Sequence, residues 1–365
     1  MLVRYKKNQS GQLVRQANIY SEAEHGIEKS DIDSNASYIC RTLQKAGYET
    51  YIVGGAIRDL LCGIKPKDFD IITAAIPSQV RKLFKQSRVI GKRFKLVHVV
   101  RDNNCYEVAT FRVNSNERNV YGTLDEDAMR RDFTINAFYY DPVDGRLIDF
   151  NNSMQDIKKR VIEPIIPLGV IFKEDPVRML RAVKYSVITG RKIPSKLREA
   201  IKEQAPLLKD CSHSRLGEEL LKILASPNVA EIFKELYDYG LLKAFLPTFD
   251  GYISRQGKAK QLFFNGLAEA SLREERSRTY MLYVLLSGYI KDVATLSHEN
   301  FNQVIEIMRL ALRPIALPHS DLLDAASLIY AEAGLQLHPE TEEEPRRKRN
   351  RYQQRRGGRK SSKAK

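Results

Sequence analysis

No C-x-x-C pair occurs in the 365 residues. Cys40, Cys62, Cys105 and Cys211 are scattered, which excludes a cysteine zinc site and a disulfide framework and fits a reducing cytosol. No apolar run reaches the ~18 residues that a membrane span needs, so neither a membrane partner nor a membrane location is expected, and the chain reads as cytoplasmic. The longest candidate, YMLYVLLSGYI from Tyr280 to Ile290, is short and reads as a buried core helix. The N-terminus lacks a signal-peptide apolar core. Residues 1–20 contain no acid, and they read as a flexible, RNA-brushing leader rather than a transit peptide. The helical half shows no clean repeat period, which excludes a solenoid reading.

Positive charge is abundant. The formal net charge is +15 and the pI about 9.5, which points to a polyanionic partner without saying anything about fold. Eleven Lys or Arg lie between Arg346 and Lys365 with no acid among them, leaving about +4 for everything before that segment. From Thr341 onward there is no apolar periodicity, so a disordered basic tail is expected.

Residues 30–149 alternate short strand-like and helical patterns. ASYICRTLQKA, 36–46, is amphipathic and closes on Gly47. Tyr51–Val53 and DFDIIT, 68–73, read as strands, and a helix follows from Pro77. Residues 95–100 and 106–112 read as two strands joined by Asp102-Asn103-Asn104. After Met154 the pattern is helical: 174–189, 195–208, 213–225, 228–238, 259–272, 278–290, 299–312 and 320–333. The expected division is a leader (1–24), an α/β head (25–155), a helical neck (156–250), a helical body (251–338) and the tail (339–365).

Chemistry concentrates in the head. Gly54-Gly55-Ala56-Ile57-Arg58-Asp59 is followed, after twelve intervening residues, by Asp68-Phe69-Asp70. Strand alternation sends both aspartates one way and Phe69 to the core. Adjacent carboxylates repel unless a cation lies between them, and oxygen-only ligation with open water positions suits Mg²⁺. The glycines let backbone N–H groups approach an anion, and Arg58 can reach a triphosphate. A lone D-x-D is usually a solvated strand edge; the glycine pair, Arg58 and the strand context favour the functional reading. Downstream, Arg130-Arg131-Asp132 with Asn136 offers forked donors for phosphate and sugar, against a surface charge cluster as the plain alternative. Glu107, on the same strand face as Ala109 and Phe111, competes with Asp132 as a third acid. In EDPVRMLRA, Asp175, Arg178 and Arg181 fall on one helix side opposite Met179, Leu180 and Val183. Ordinary i,i+3 ion pairing is the plain reading; an acid and a guanidinium matching the pairing edge of adenine is the specific one.

These segments resemble the class II nucleotidyltransferases, which include bacterial poly(A) polymerases and CCA-adding enzymes. The resemblance lies in GGAIRDLLCGIKPKDFDI, in RRDFTINA and in EDPVRMLRA, and it is close from about His25 to Thr248. It implies a polymerase-β-like α/β head followed by an all-α neck and body. It implies Asp68 and Asp70 as metal carboxylates, with Asp132 counted among the catalytic acids. Gly54, Gly55, Arg58, Arg131 and Asn136 are implied to hold the nucleotide, Asp175 and Arg178 its base, and Arg181 its phosphates. Lys184 replaces an arginine common in the family. Val89-Ile90-Gly91-Lys92-Arg93-Phe94 resembles the pattern of the poly(A) branch; read plainly, it is a β-hairpin with a cationic corner, in which His98 is just a strand residue. The implied activity is template-independent polyadenylation of RNA 3′ ends with ATP and Mg²⁺, and proteins of RNA decay are implied partners. A CCA-adding enzyme and a non-catalytic RNA binder are the alternatives.

Overall fold

The computed structural model describes residues 2–7, 10–91, 95–113, 120–255 and 257–335. They divide into two compact units, 1–211 and 212–365. That boundary falls inside the 156–250 segment read from the sequence as one neck, because the helices up to 210 pack with the head.

Unit 1 is built on a nine-stranded mixed sheet in the order β1-β2-β9-β8-β3-β4-β7-β6-β5. The strands are β1 Leu2–Lys7, β2 Leu13–Tyr20, β3 Thr50–Val53, β4 Asp70–Thr73, β5 Ser87–Ile90, β6 Leu96–Arg101, β7 Asn104–Thr110, β8 Phe138–Asp141 and β9 Arg146–Asp149. Only β4 and β7 run parallel; every other neighbouring pair is antiparallel. The β6–β7 hairpin turns at Asp102 and Asn103, whose φ angles are 48° and 61°. Positive φ at both central residues is what a tight two-residue hairpin turn requires, and Asp and Asn tolerate it.

Alternation gives the sheet two apolar faces. Ile52, Ile71, Val97, Val99, Tyr106 and Val108 pack with Ala36, Ile39 and Leu43 of the helix Ser34–Lys45. Tyr51, Val53, Ile72 and Phe111 pack on the other face with Leu124, Ala128, Tyr139 and Phe150. Asp33 caps the helix Ser34–Lys45, accepting from the Ala36 N–H at 2.8 Å, a contact worth about 1 kcal/mol.

The leader departs from expectation. Strands β1 and β2 pair antiparallel and extend the sheet, with β2 paired to β9 through Ile19 opposite Ile148. Its alternating LVRYKK and LVRQANIY carry strand periodicity, and pairing to an available edge outweighs the absence of acids. The helix expected over 174–189 is two helices, Leu168–Glu174 and Val177–Thr189. Pro176 disfavours helical backbone at the residue before it, and Asp175 is extended at φ −151°, ψ 90°.

Unit 2 is helical throughout its described residues: His213–Leu224, Val229–Asp238, Leu242–Phe245, Pro247–Arg255, Gly257–Ser271, Arg278–Val293, Phe301–Ala311 and His319–Glu332. The apolar run around Tyr280 does form a core helix, burying Met281, Leu282, Leu285, Leu286 and Ile290. Among the described residues no helix is long and apolar enough to cross a membrane. Lys92 and Arg93, and the basic tail, lie outside the described residues.

Candidate active site

The centre of the sheet brings the first motif together. β3 ends at Val53, which pairs with Asp70, the first residue of β4. The chain then turns at Gly54, with φ 75° and ψ −131°, and enters the helix Gly55–Leu61. This backbone geometry is nearly exclusive to glycine. A methyl group at position 54 would lie 3.6 Å from the Asp70 Oδ2. The Gly54 bend therefore cradles the carboxylate. Asp68 stands in the run-in to β4; Asp68 and Asp70 are both exposed, while Phe69 is half-buried against the core. The alternation expected of a strand is thus kept one residue before the strand begins.

β4 is parallel to β7 with Ile71 opposite Val108, so Glu107 falls beside Asp70 and on the same sheet face. His98, across from Glu107 on β6, places Nε2 3.3 Å from Glu107 Oε1.

Asp132 has other neighbours. Its Oδ1 accepts from the Phe133 N–H at 2.8 Å and from Asn136 Nδ2 at 3.2 Å, and its Oδ2 lies 3.5 Å from Arg181 Nη1. Among the described residues no group of three or more His, Cys, Asp or Glu is placed to hold a metal ion.

The arginines expected at the nucleotide are tied to the protein. Arg58 is buried: Nη1 donates to Asn136 Oδ1 at 3.1 Å, Nε donates to Asp59 at 2.8 Å, and the guanidinium lies 4.8 Å from the Tyr185 ring centroid. It folds back over the start of its own helix, 3.5 Å from where a Gly55 side chain would begin. Burial raises the Asp59 pKa above the ordinary carboxylate value despite the pull of Arg58. Asn136 is the joint of this cluster, its amide oxygen facing Arg58 and its nitrogen Asp132.

Arg131 donates through Nε to the Tyr139 hydroxyl at 2.9 Å, through Nη1 to the Asn136 carbonyl at 3.0 Å and through Nη2 to Asp127 at 3.0 Å. Asp127 is fully buried and also accepts from Arg130 and from the Tyr139 hydroxyl. Burial pushes its carboxyl up, but Arg131 and Arg130 outweigh burial and hold it below the usual range. Sequence reasoning missed Asp127, although an acid three and four residues before a pair of arginines at a helix end is ion-pair spacing. Tyr139 and Tyr185, which seat two guanidiniums, carried no such signal.

On the helix Val177–Thr189, Met179, Leu180 and Val183 are buried as expected, and Arg178 and Arg181 take the less buried side. Arg178 Nη1 lies 3.1 Å from both the Ile171 carbonyl and Glu174 Oε2. Asp175 sits in the break between the two helices instead of on the helix face. Lys184 is buried, its Nζ 5.2 Å from the Tyr185 centroid.

Residues 50–163 match the poly A polymerase head domain, and residues 191–253 match the probable RNA and SrmB-binding site of polymerase A. Over 257 residues the chain is 41% identical to poly(A) polymerase I of Salmonella typhi, covering 66% of this chain and 55% of that protein. The chain thus spans a little over half the length of the curated relative. Two solved structures are similar in fold. A Bacillus stearothermophilus CCA-adding enzyme in complex with CTP shares 26% identity with a TM-score of 0.58, covering 83% of each chain. A tRNA nucleotidyltransferase complexed with a primer tRNA and an incoming ATP analog shares 27% with a TM-score of 0.55, covering 74% of this chain and 79% of that one. With the glycine bend, the paired aspartates and the arginine cluster set on this sheet, the chain belongs to the class II nucleotidyltransferases of the tRNA nucleotidyltransferase/poly(A) polymerase family.

Proposed function

We propose that the chain extends RNA 3′ ends with AMP from ATP, without a template, releasing pyrophosphate. The observation that carries this reading is the Asp70 carboxylate held against the Gly54 bend beside Asp68, both exposed at the mouth of the sheet. In the reaction the RNA 3′ oxygen forms a bond to the α-phosphorus of ATP as the bond from that phosphorus to the β-phosphate bridging oxygen breaks. The 3′ proton is lost and pyrophosphate departs.

Asp68 and Asp70 present only oxygen donors, and the Gly54 bend lies in van der Waals reach of the Asp70 carboxylate. This fits Mg²⁺, which is commonly bound by one or two carboxylates together with substrate phosphates and water. Bound there, Mg²⁺ lowers the pKa of the attacking hydroxyl and neutralises charge on the triphosphate. The protein's own work is positioning. The bend and the start of the helix Gly55–Leu61 hold the triphosphate near the pair, and Glu107 supports the pair from the neighbouring strand. Asp132, through Asn136 and Arg181, fixes where the helix Val177–Thr189 meets the head. Arg178 and Asp175, at the start of that helix, face the base. The inward ties of Arg58 and Arg131 support a framework role behind the nucleotide site. RNA is the expected macromolecular partner, consistent with the RNA-binding segment matched over 191–253, and proteins of RNA decay remain the expected protein partners.

The test offers labelled RNA, and separately tRNA lacking its terminal CCA, with each nucleoside triphosphate in turn, with and without Mg²⁺. Magnesium-dependent extension by ATP alone, without a fixed stop, supports the reading. CTP addition that halts after a set number of steps on tRNA favours CCA addition, the reading suggested by the fold similarity to a CCA-adding enzyme. RNA binding with no incorporation of any nucleotide leaves the non-catalytic binder.

A further inference from the structure

The mechanism leaves unused a cleft of about 730 Å³ in unit 1, lying between the β1–β2 hairpin and the end of the helix Leu124–Met129. Its apolar wall includes Val14, Met129 and Phe150, its cations are Lys6, Lys7, Arg15 and Arg130, and Asp125 and Glu126 are its two acids. Val14 is 49% and Met129 51% exposed, unusual for apolar residues lining one hollow. Two ties hold the walls in place. Lys6 Nζ bridges to Asp125 at 2.8 Å, joining the hairpin to the helix. Arg130 Nη2 is anchored on buried Asp127 at 2.6 Å, which fixes its guanidinium at the rim. The floor connects to the site: the Phe150 ring packs edge-on against Tyr139 at 5.7 Å, and Tyr139 carries Arg131 at 4.9 Å from its ring centroid.

We propose that this cleft seats a nucleotide of the single-stranded RNA substrate away from the reacting 3′ end, a binding site separate from the nucleotide pocket. The inference rests on the polyadenylation reading for its choice of RNA. A nucleotide joins a base with two apolar faces to a charged phosphate, so an apolar slot rimmed by cations suits it. Residues 2–20 provide Arg4, Lys6, Lys7 and Arg15 and no acid. Exposed Tyr5, paired with Arg15 across the hairpin, continues the same aromatic and basic alternation outside the slot. Arg4 is paired with Glu49 and Lys6 with Asp125, so Lys7, Arg15 and Arg130 are the cations that meet the RNA backbone.

The experiment measures binding of a fluorescein-labelled single-stranded oligoadenylate to the full chain across a salt series. The variants are Val14→Asp and the exposed charge-reversal pair Lys7→Glu with Arg15→Glu, which alters no buried group and keeps the test open if Val14→Asp fails to fold. Each variant is expected to weaken oligoadenylate binding about tenfold, and the pair to flatten the slope of log affinity against log salt by about 2. ATP affinity, read on the same samples, is the internal comparator. Photocrosslinks from a 4-thiouridine-substituted strand are expected on the peptides holding Val14 and Met129. Unchanged affinity and slope, with no crosslink there, overturn the site. AMP addition without these losses sinks the cleft alone; these losses in a chain that adds no AMP sink the catalytic reading and leave the cleft.

Discussion

Two parts of unit 1 treat charge in opposite ways. At the start of β4, Asp68 and Asp70 are exposed, and Asp70 lies beside the Gly54 bend. A short distance along the chain, Asp127 is completely buried and receives Arg130, Arg131 and Tyr139 together. The difference separates chemistry from scaffold. Acids that work on a polyanion through a cation must face solvent, whereas an acid that organises arginines is most effective where water is absent and each donor has a partner. Arg130 and Arg131 thus act first on the protein's own shape.

The comparison can be broken most sharply at Asp70. Asp70→Ala is expected to abolish AMP incorporation, a loss on the order of 10³-fold or more, with the melting temperature nearly unchanged because the side chain is exposed. Retained elongation at the normal rate would falsify the metal assignment. Asp127→Ala should do the reverse in stability, costing about 3–5 kcal/mol by urea denaturation because two guanidiniums lose a buried partner. A loss below about 1 kcal/mol would show the arginines to be solvated instead.

pH sharpens the same contrast. The folded pKa of Asp127 is depressed, so its contribution to stability is present above the unfolded carboxylate pKa of about 3.9. It is lost as pH falls below that value through the folded one. Asp127→Asn should therefore flatten the acid limb of the stability profile, read as urea-denaturation stability against pH.

Gly54→Ala is expected to cost about 1–3 kcal/mol of backbone strain at φ 75° and, by shifting the bend beside Asp70, to lower incorporation together with Mg²⁺ affinity. An unaltered Mg²⁺ titration would show that the bend does not set the carboxylate's position. The smallest effects separate the two rivals for a third acid. Glu107→Gln should shift the Mg²⁺ concentration needed for half-maximal rate, whereas Asp132→Asn, which retains an acceptor for Arg181, should chiefly raise the KM for ATP. The opposite pattern would reassign Asp132 to the metal.

Much of the architecture was legible along the chain because its signals are local. The helices of unit 2 follow their apolar period, and Asp102-Asn103 marks its own turn. The alternation around Phe69 marks the two aspartates. The leader misled because composition registers missing acids but not an open edge on β9 awaiting a partner. Asp175 misled because a periodic pattern passes through Pro176 although the backbone cannot.

Sequence alone determined the residue types and spacings on which the proposed phosphoryl transfer rests: a glycine pair, two aspartates with one residue between them, and a basic motif followed by an amide. Only tertiary structure decided which of these face outward. Alternation and register set Asp70 and Glu107 on one sheet face, while burial against Tyr139, Tyr185 and Asp127 turned Arg58 and Arg131 inward. The physical reason is that a charged side chain takes its role from the solvent and partners around it, and those are assembled from strands and helices far apart in the chain.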